Sequence, residues 1–115
     1  MITSYQVVTG TGKPVNGAGD VTIIAAQGSG KTLYVLKVFV GITVVAAGGG
    51  GEFALENGLN GTRFLEIDAD AVGTYVVDFG EEGYPLSANT LLNAAVDGAA
   101  TTQASARVTA ICKVV

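Results

Sequence analysis

The feature that most constrains this chain is its punctuation. Turn-forming clusters recur at roughly ten-residue intervals, the spacing of all-β sandwiches and barrels. They are Gly10 to Gly19 (GTGKPVNGAG), Gln27 to Lys31 (QGSGK), Gly48 to Gly51, Asn57 to Gly61 (NGLNG), Asp70 to Gly73 (DAVG), Gly80 to Pro85 (GEEGYP) and Asp97 to Thr102 (DGAATT). Gly, Asn, Asp and Pro supply turn geometry and interrupt helices. No run here holds a helical period for about ten residues. Thr90 to Ala100 (TLLNAAVDGAA) is the best helical candidate and ranks behind strand.

The runs between the turns have strand composition. They are Ser4 to Thr9, Val21 to Ala26, Thr32 to Ala47 (which Gly41 is expected to bend into two), Glu52 to Glu56, Arg63 to Ala69, Thr74 to Phe79, Thr90 to Val96 and Ala104 to Val115. The expectation is an all-β fold, an antiparallel β-sandwich of about eight strands. The chain of 115 residues is read as a single domain over 1–115, with residues 1–19 an N-terminal arm plus loop. In the last strand Val108, Ala110, Cys112 and Val114 share one face, and Arg107, Thr109, Ile111 and Lys113 the other. That is a half-buried strand with Cys112 inward. The third run differs. Tyr34, Leu36, Val38 and Val40 share one face, and Leu33, Val35, Lys37 and Phe39 the other, so both are apolar apart from Lys37. A strand apolar on two sides must be covered on two sides. The second cover is expected from another subunit.

Composition sharpens this. Charged residues are 14% of the chain, against about 25% in ordinary soluble domains. A small domain has much surface for its volume, so some of that surface is expected to face other subunits or a partner. A membrane span would explain the same numbers, but Leu33 to Ala47 is short of the roughly 20 apolar residues needed and contains Lys37 and Gly41. No membrane is expected. Six basic residues, scattered, face ten acidic ones for a net charge of −4, so no nucleic-acid partner is expected. There is no His and one Cys, which removes the commonest general base and leaves no disulfide or zinc site. The start, Met1-Ile2-Thr3-Ser4, lacks the pattern of a signal peptide.

Several segments invite chemical readings. Gln27-Gly28-Ser29-Gly30-Lys31-Thr32 resembles the tail of a phosphate-binding loop, but Ala25 stands where the first glycine belongs and β-branched residues follow where a helix must open. Asp68 and Asp70 begin like a calcium loop, yet Val72 and Phe79 occupy two liganding positions. A weak surface cation site at Asp68 and Asp70 stays open. Glu81 and Glu82 are adjacent on a turn, a poor geometry for paired acid–base work. Cys112 is read as core packing. Tyr84-Pro85-Leu86 forms an apolar knuckle, either pinned to its own core or offered to a partner. No cofactor, no metal and no enzymatic activity are expected.

Three passages carry a family likeness. They are the central ENGLNGTRFLEIDAD (56–70), the glycine-acidic turn leading into Tyr84-Pro85-Leu86-Ser-Ala-Asn-Thr-Leu91, and the terminal Ala106-Arg-Val-Thr-Ala-Ile-Cys-Lys-Val-Val115. With the Gly-rich start, the chain resembles the small jelly-roll decoration (cement) proteins on capsids of tailed bacteriophages. That resemblance implies a jelly-roll-like sandwich that assembles as a homotrimer or a dimer. It implies the major capsid protein as partner, the capsid exterior of the virion as location, and synthesis in the host cytoplasm. Leu33, Val35, Phe39, Tyr84 and Leu86 are the expected interface residues with other subunits or the shell. The rival expectation is a trimeric jelly-roll module that recognises carbohydrate or a receptor on a virion or fibre.

Overall fold

The computed structural model describes residues 6–16, 20–44, 51–97 and 105–115. Nine strands run through them: β1 (Gln6–Asn16), β2 (Asp20–Ile24), β3 (Leu33–Val44), β4 (Glu52–Asn57), β5 (Thr62–Asp68), β6 (Gly73–Asp78), β7 (Tyr84–Pro85), β8 (Leu92–Asp97) and β9 (Ser105–Val114). Every pairing is antiparallel. The order is β1-β9-β3-β6 in the larger sheet, where β7 also pairs β3, and β2-β8-β4-β5 in the smaller.

This order has a simple origin. β4 pairs β5, β3 pairs β6, β2 pairs β8 and β1 pairs β9, so the pairs nest around the turn at residues 58–61 like one long hairpin. Rolling that hairpin sets β9 beside β3 and β8 beside β4, which gives the four-strand path of each sheet, with β7 added to the larger. It is the jelly-roll arrangement of two packed antiparallel sheets. Sequence-distant strands must pair, so the core forms only when both ends of the chain are in place.

The core lies between the sheets. β9 contributes Ala106, Val108, Ala110, Cys112 and Val114, and β3 contributes Leu33, Val35, Val38, Val40 and Ile42. β4 adds Phe53 and Leu55, and β8 adds Leu92, Ala94 and Val96. Alternation in β9 holds along its length, with each even-numbered residue buried.

Three sequence expectations change. Gly10 to Asn16 is not a loop but the second half of β1, which continues past a register shift between Gly10 and Lys13. Residues 1–5 and 17–19 of the expected arm and loop lie outside the described residues, as does the glycine segment 45–50. Gly41 does not bend β3; it sits in register between Thr74 and Arg107. The run from Thr90 to Val96 is strand rather than helix, as expected, with β8 beginning at Leu92, whereas Tyr84–Pro85 forms a two-residue strand that the turn signal concealed.

The two-sided apolar character of β3 has a local cause. Val35 pairs with Cys112 and Lys37 with Ile111, so Leu36 has no partner on β9. A bulge shifts the side-chain alternation by one. Leu33 and Val35 face the core before it, and Val38, Val40 and Ile42 face the core after it. Strict alternation therefore assigns Leu33 and Val35 to the face of Phe39, whereas the structure sets them on opposite sides. Much of the apolar content that suggested a second cover is core of this same chain.

Candidate functional site

The interface residues expected from the sequence separate into two groups. Leu33, Val35 and Leu86 are buried in the chain's own core, at 1%, 0% and 4% exposure. They have no surface to offer, which corrects their reading as contacts. Tyr84 stacks on Phe64 with ring centres 4.4 Å apart and planes 7° apart, and Phe79 tilts against both rings. Phe64 is the extra residue in a bulge of β5 opposite β4. The three rings thus bring together β5 of the smaller sheet, β7 of the larger and the end of β6. Tyr84 is half-buried there and acts mainly as a seal. Only Phe39 stands on an open face, at 36% exposure.

That face is the outer side of the larger sheet. Cross-strand register sets Val7 beside Lys113 and Tyr34, Thr9 beside Ile111, Lys37 and Asp78, and Thr109 beside Phe39 and Val76. Val7 is 52% exposed and Val76 is 55% exposed. The outer face of an antiparallel sheet in water normally carries polar residues at these positions. Here an apolar band of Val7, Ile111, Phe39 and Val76 crosses it.

Cations border the band. Lys37 Nζ lies 5.8 Å from the Phe39 ring centre, and Lys113 Nζ lies 5.2 Å from that of Tyr34. Long aliphatic stems cover apolar surface while the charged heads stay in water. Lys37 also pairs loosely with Asp78 at 3.9 Å, and Lys113 donates to the Glu81 carbonyl at 3.3 Å. Arg107 donates to the Gly12 carbonyl at 3.3 Å on the same face. Beside the band, the turn at residues 79–83 forms one wall of an open groove of about 730 Å³, lined by Leu36, Ile111, Lys37, Lys113, Glu81 and Glu82 among others. Gly83 makes that wall fit: its φ is +79°, and a Cβ there would approach the Val35 carbonyl at 2.8 Å.

The smaller sheet presents the opposite charge. Asp20, Glu52, Glu56, Glu66 and Asp68 share its outer face with one cation, Arg63. Arg63 donates to Glu52 at 3.0 Å and to Glu56 at 3.3 Å. Asn93 donates to Glu56 at 2.7 Å and to Asp20 at 3.2 Å. Glu56 and Asn93 are buried, at 4% and 1% exposure, and the Asn93 Oδ1 has no protein partner. The network ties β2, β8, β4 and β5 together.

The other sequence motifs are scattered. The QGSGKT segment is the turn that carries the chain from β2 in one sheet to β3 in the other. Gly28 and Gly30 adopt positive φ in it, and strand rather than helix follows Lys31. Asn89 pins the turn, accepting from the Gly28 N–H and donating its own N–H to the Lys31 carbonyl. Asp68 and Asp70 are exposed on either side of buried Ala69, and no cluster of three metal-ligating side chains occurs among the described residues. Glu81 and Glu82 are exposed on their turn. Cys112 is buried, and burial pushes its thiol up to about 12. No described helix is long and apolar enough to cross a membrane. Sequence reasoning missed Val7, Val76 and Ile111. Their common face emerges only from the pairing of β1, β9, β3 and β6.

No family model matches the chain, and no curated protein matches it. Among solved structures, a chain in the structure of infectious bursal disease virus, Gx strain, is similar at 15% identity with a TM-score of 0.39, over 96% of this chain and 32% of that one. This chain therefore spans about a third of that chain's length. A chain of the virus-like particle of extra small virus, from the giant freshwater prawn Macrobrachium rosenbergii, is similar at 12% identity with a TM-score of 0.33, over 97% of this chain and 82% of that one. The jelly-roll assignment rests on the strand order itself.

Proposed function

We propose that this chain is a structural virion protein, a capsid decoration or cement protein. It binds the outside of an assembled shell as an oligomer and stabilises contacts between neighbouring capsomers. The observation that carries the reading is the apolar band of Val7, Ile111, Phe39 and Val76 on the outer face of the larger sheet. Exposed apolar patches rimmed by charge mark protein docking surfaces. The bordering Lys37, Arg107 and Lys113 suit an acidic rim on the shell protein.

The proposed partner is the major capsid protein, and the proposed location is the capsid exterior, after synthesis in the host cytoplasm. A ligand that binds only the assembled shell shifts its equilibrium away from disassembly. Many copies at repeated sites multiply a modest energy per site. The role we propose is non-catalytic. In support, Lys31, the Glu81–Glu82 pair and the Asp68–Asp70 segment lie on three separate turns, and Cys112 is buried.

The test uses shells assembled without the protein. They are heated alone and after adding it. Added protein is expected to sediment with the shells and to raise their disassembly temperature. Failure to sediment, or an unchanged temperature, contradicts the proposal.

A further inference from the structure

A sheet edge presents a row of unpaired N–H and C=O groups, and soluble proteins defend such edges with charge, proline, bulges or brevity. Four edges of this sandwich are defended. β1 carries Lys13, Pro14 and a register shift. β2 is five residues long, begins with Asp20 and has a shift before Ile24. β5 carries Arg63, Glu66, Asp68 and the Phe64 bulge. β7 is two residues and contains Pro85.

β6 is different. Among the described strands it has a neighbour on one side only, β3, and it pairs there with no register shift. Its centre, Thr74-Tyr75-Val76-Val77, has no charge and no proline. Tyr75 is 37% exposed and Val76 is 55% exposed. The sequence is a strong strand former left open at an edge.

We propose that β6 is where two copies of this chain associate, joining their larger sheets edge to edge. The strands run antiparallel about a twofold axis normal to the sheet, so the interface is isologous. Keeping both sheet faces continuous requires residues of the same parity to oppose each other. Centring the pair sets Val76 against Val76 of the second copy, Tyr75 against Val77 and Thr74 against Asp78. Tyr75 and Val77 share the inner side with Val38 and Val40, to which β3 pairs them, and Val76 meets its equivalent on the outer side. The sole charge on the strand, Asp78, then faces a threonine hydroxyl.

The pairing also extends the docking face. Phe39 lies beside Val76 in register. Across the axis the order becomes Phe39, Val76, Val76, Phe39, one apolar band on one continuous surface. The inference rests on the proposed function only for what this joined band binds. An edge of six residues makes a small interface, under about 1,200 Å² in total, so the dimer dissociates on dilution. Of the homotrimer and the dimer that the family resemblance implies, it selects the dimer.

The test uses the full chain in sedimentation over a concentration series, together with cysteine variants. Paired strands bring facing Cα atoms to about 4.5–5.5 Å, within reach of a disulfide. Cys112 is buried and stays silent. Val76→Cys is expected to form a disulfide-linked dimer under mild oxidant about tenfold faster than Thr62→Cys on the defended β5 edge. Val76→Lys places like charges face to face and is expected to weaken the dimer about tenfold or more, with its melting temperature retained. A wild-type chain that stays monomeric, or assembles as a trimer, overturns the proposal. So does Val76→Cys linking no faster than Thr62→Cys. A monomer that still stabilises shells removes this pairing, and with it the oligomer, and leaves the shell-stabilising role standing. A dimer that ignores shells does the reverse.

Discussion

Asn93 shows how a single residue binds several strands. Its amide donates to Glu56 at 2.7 Å and to Asp20 at 3.2 Å on the outer side of the smaller sheet. Asn93→Asp keeps the shape and turns this donor into an acceptor facing a buried carboxylate. Such a change is expected to cost about 3 kcal/mol or more, read from denaturant unfolding. Cys112 gives a second residue-scale prediction. Burial raises its folded pKa to about 12, well above the roughly 8.5 of an unfolded thiol. Above the unfolded value the unfolded chain loses its thiol proton while the folded chain keeps it, so the stability this group contributes is present below that pH. It falls by about 1.4 kcal/mol per pH unit until the folded pKa is reached. Unfolding curves of the wild type against Cys112→Ala between those limits isolate the effect, because other groups titrate in both. The wild-type slope should be the steeper. At neutral pH the native thiol should react with maleimide only as fast as the chain opens.

At the scale of elements, turn punctuation and strand alternation made most of the sandwich legible. β9 reads directly because the extra residues at its register shifts lie on its partners, β1 and β3, so its own alternation is unbroken. β3 does not, because a bulge is a property of two strands. Leu36 is extra only relative to β9, and nothing in residues 33–44 alone marks it. That is why Leu33 and Val35 looked like neighbours of Phe39 on an outer face. The bulge makes a sharp prediction. Deleting Leu36 leaves Val35 and Lys37 opposite Cys112 and Ile111, so every core residue of β3 stays inward. The chain should fold, losing about 1–2 kcal/mol with the Leu36 contacts and the hydrogen bond from Phe79 to its carbonyl. Deleting Phe39 instead turns Val40 and Ile42 outward. At about 1.5–3 kcal/mol per misplaced side chain, that variant should fail to fold. Circular dichroism melts of the two deletions decide it.

At the scale of the whole molecule, the low charge content is only partly explained by self-covering. The bulge returns Leu33, Val35, Val38, Val40 and Ile42 to one interior, yet Val7, Phe39 and Val76 remain outside it. The site was less legible than the fold because it gathers residues from β1, β3, β6 and β9, far apart in sequence. Charge divides by face, with acids on the smaller sheet and cations around the apolar band on the larger. The proposed orientation on a shell therefore has the larger sheet inward and the acidic sheet outward. The most direct measurement is the disassembly temperature of protein-free shells mixed with wild type or with Phe39→Asp. Phe39 sits in the middle of the band and on the surface, so the variant keeps its fold. Wild type should raise the temperature, and Phe39→Asp should leave it near that of bare shells. Equal protection by both, or protection by neither, contradicts the account.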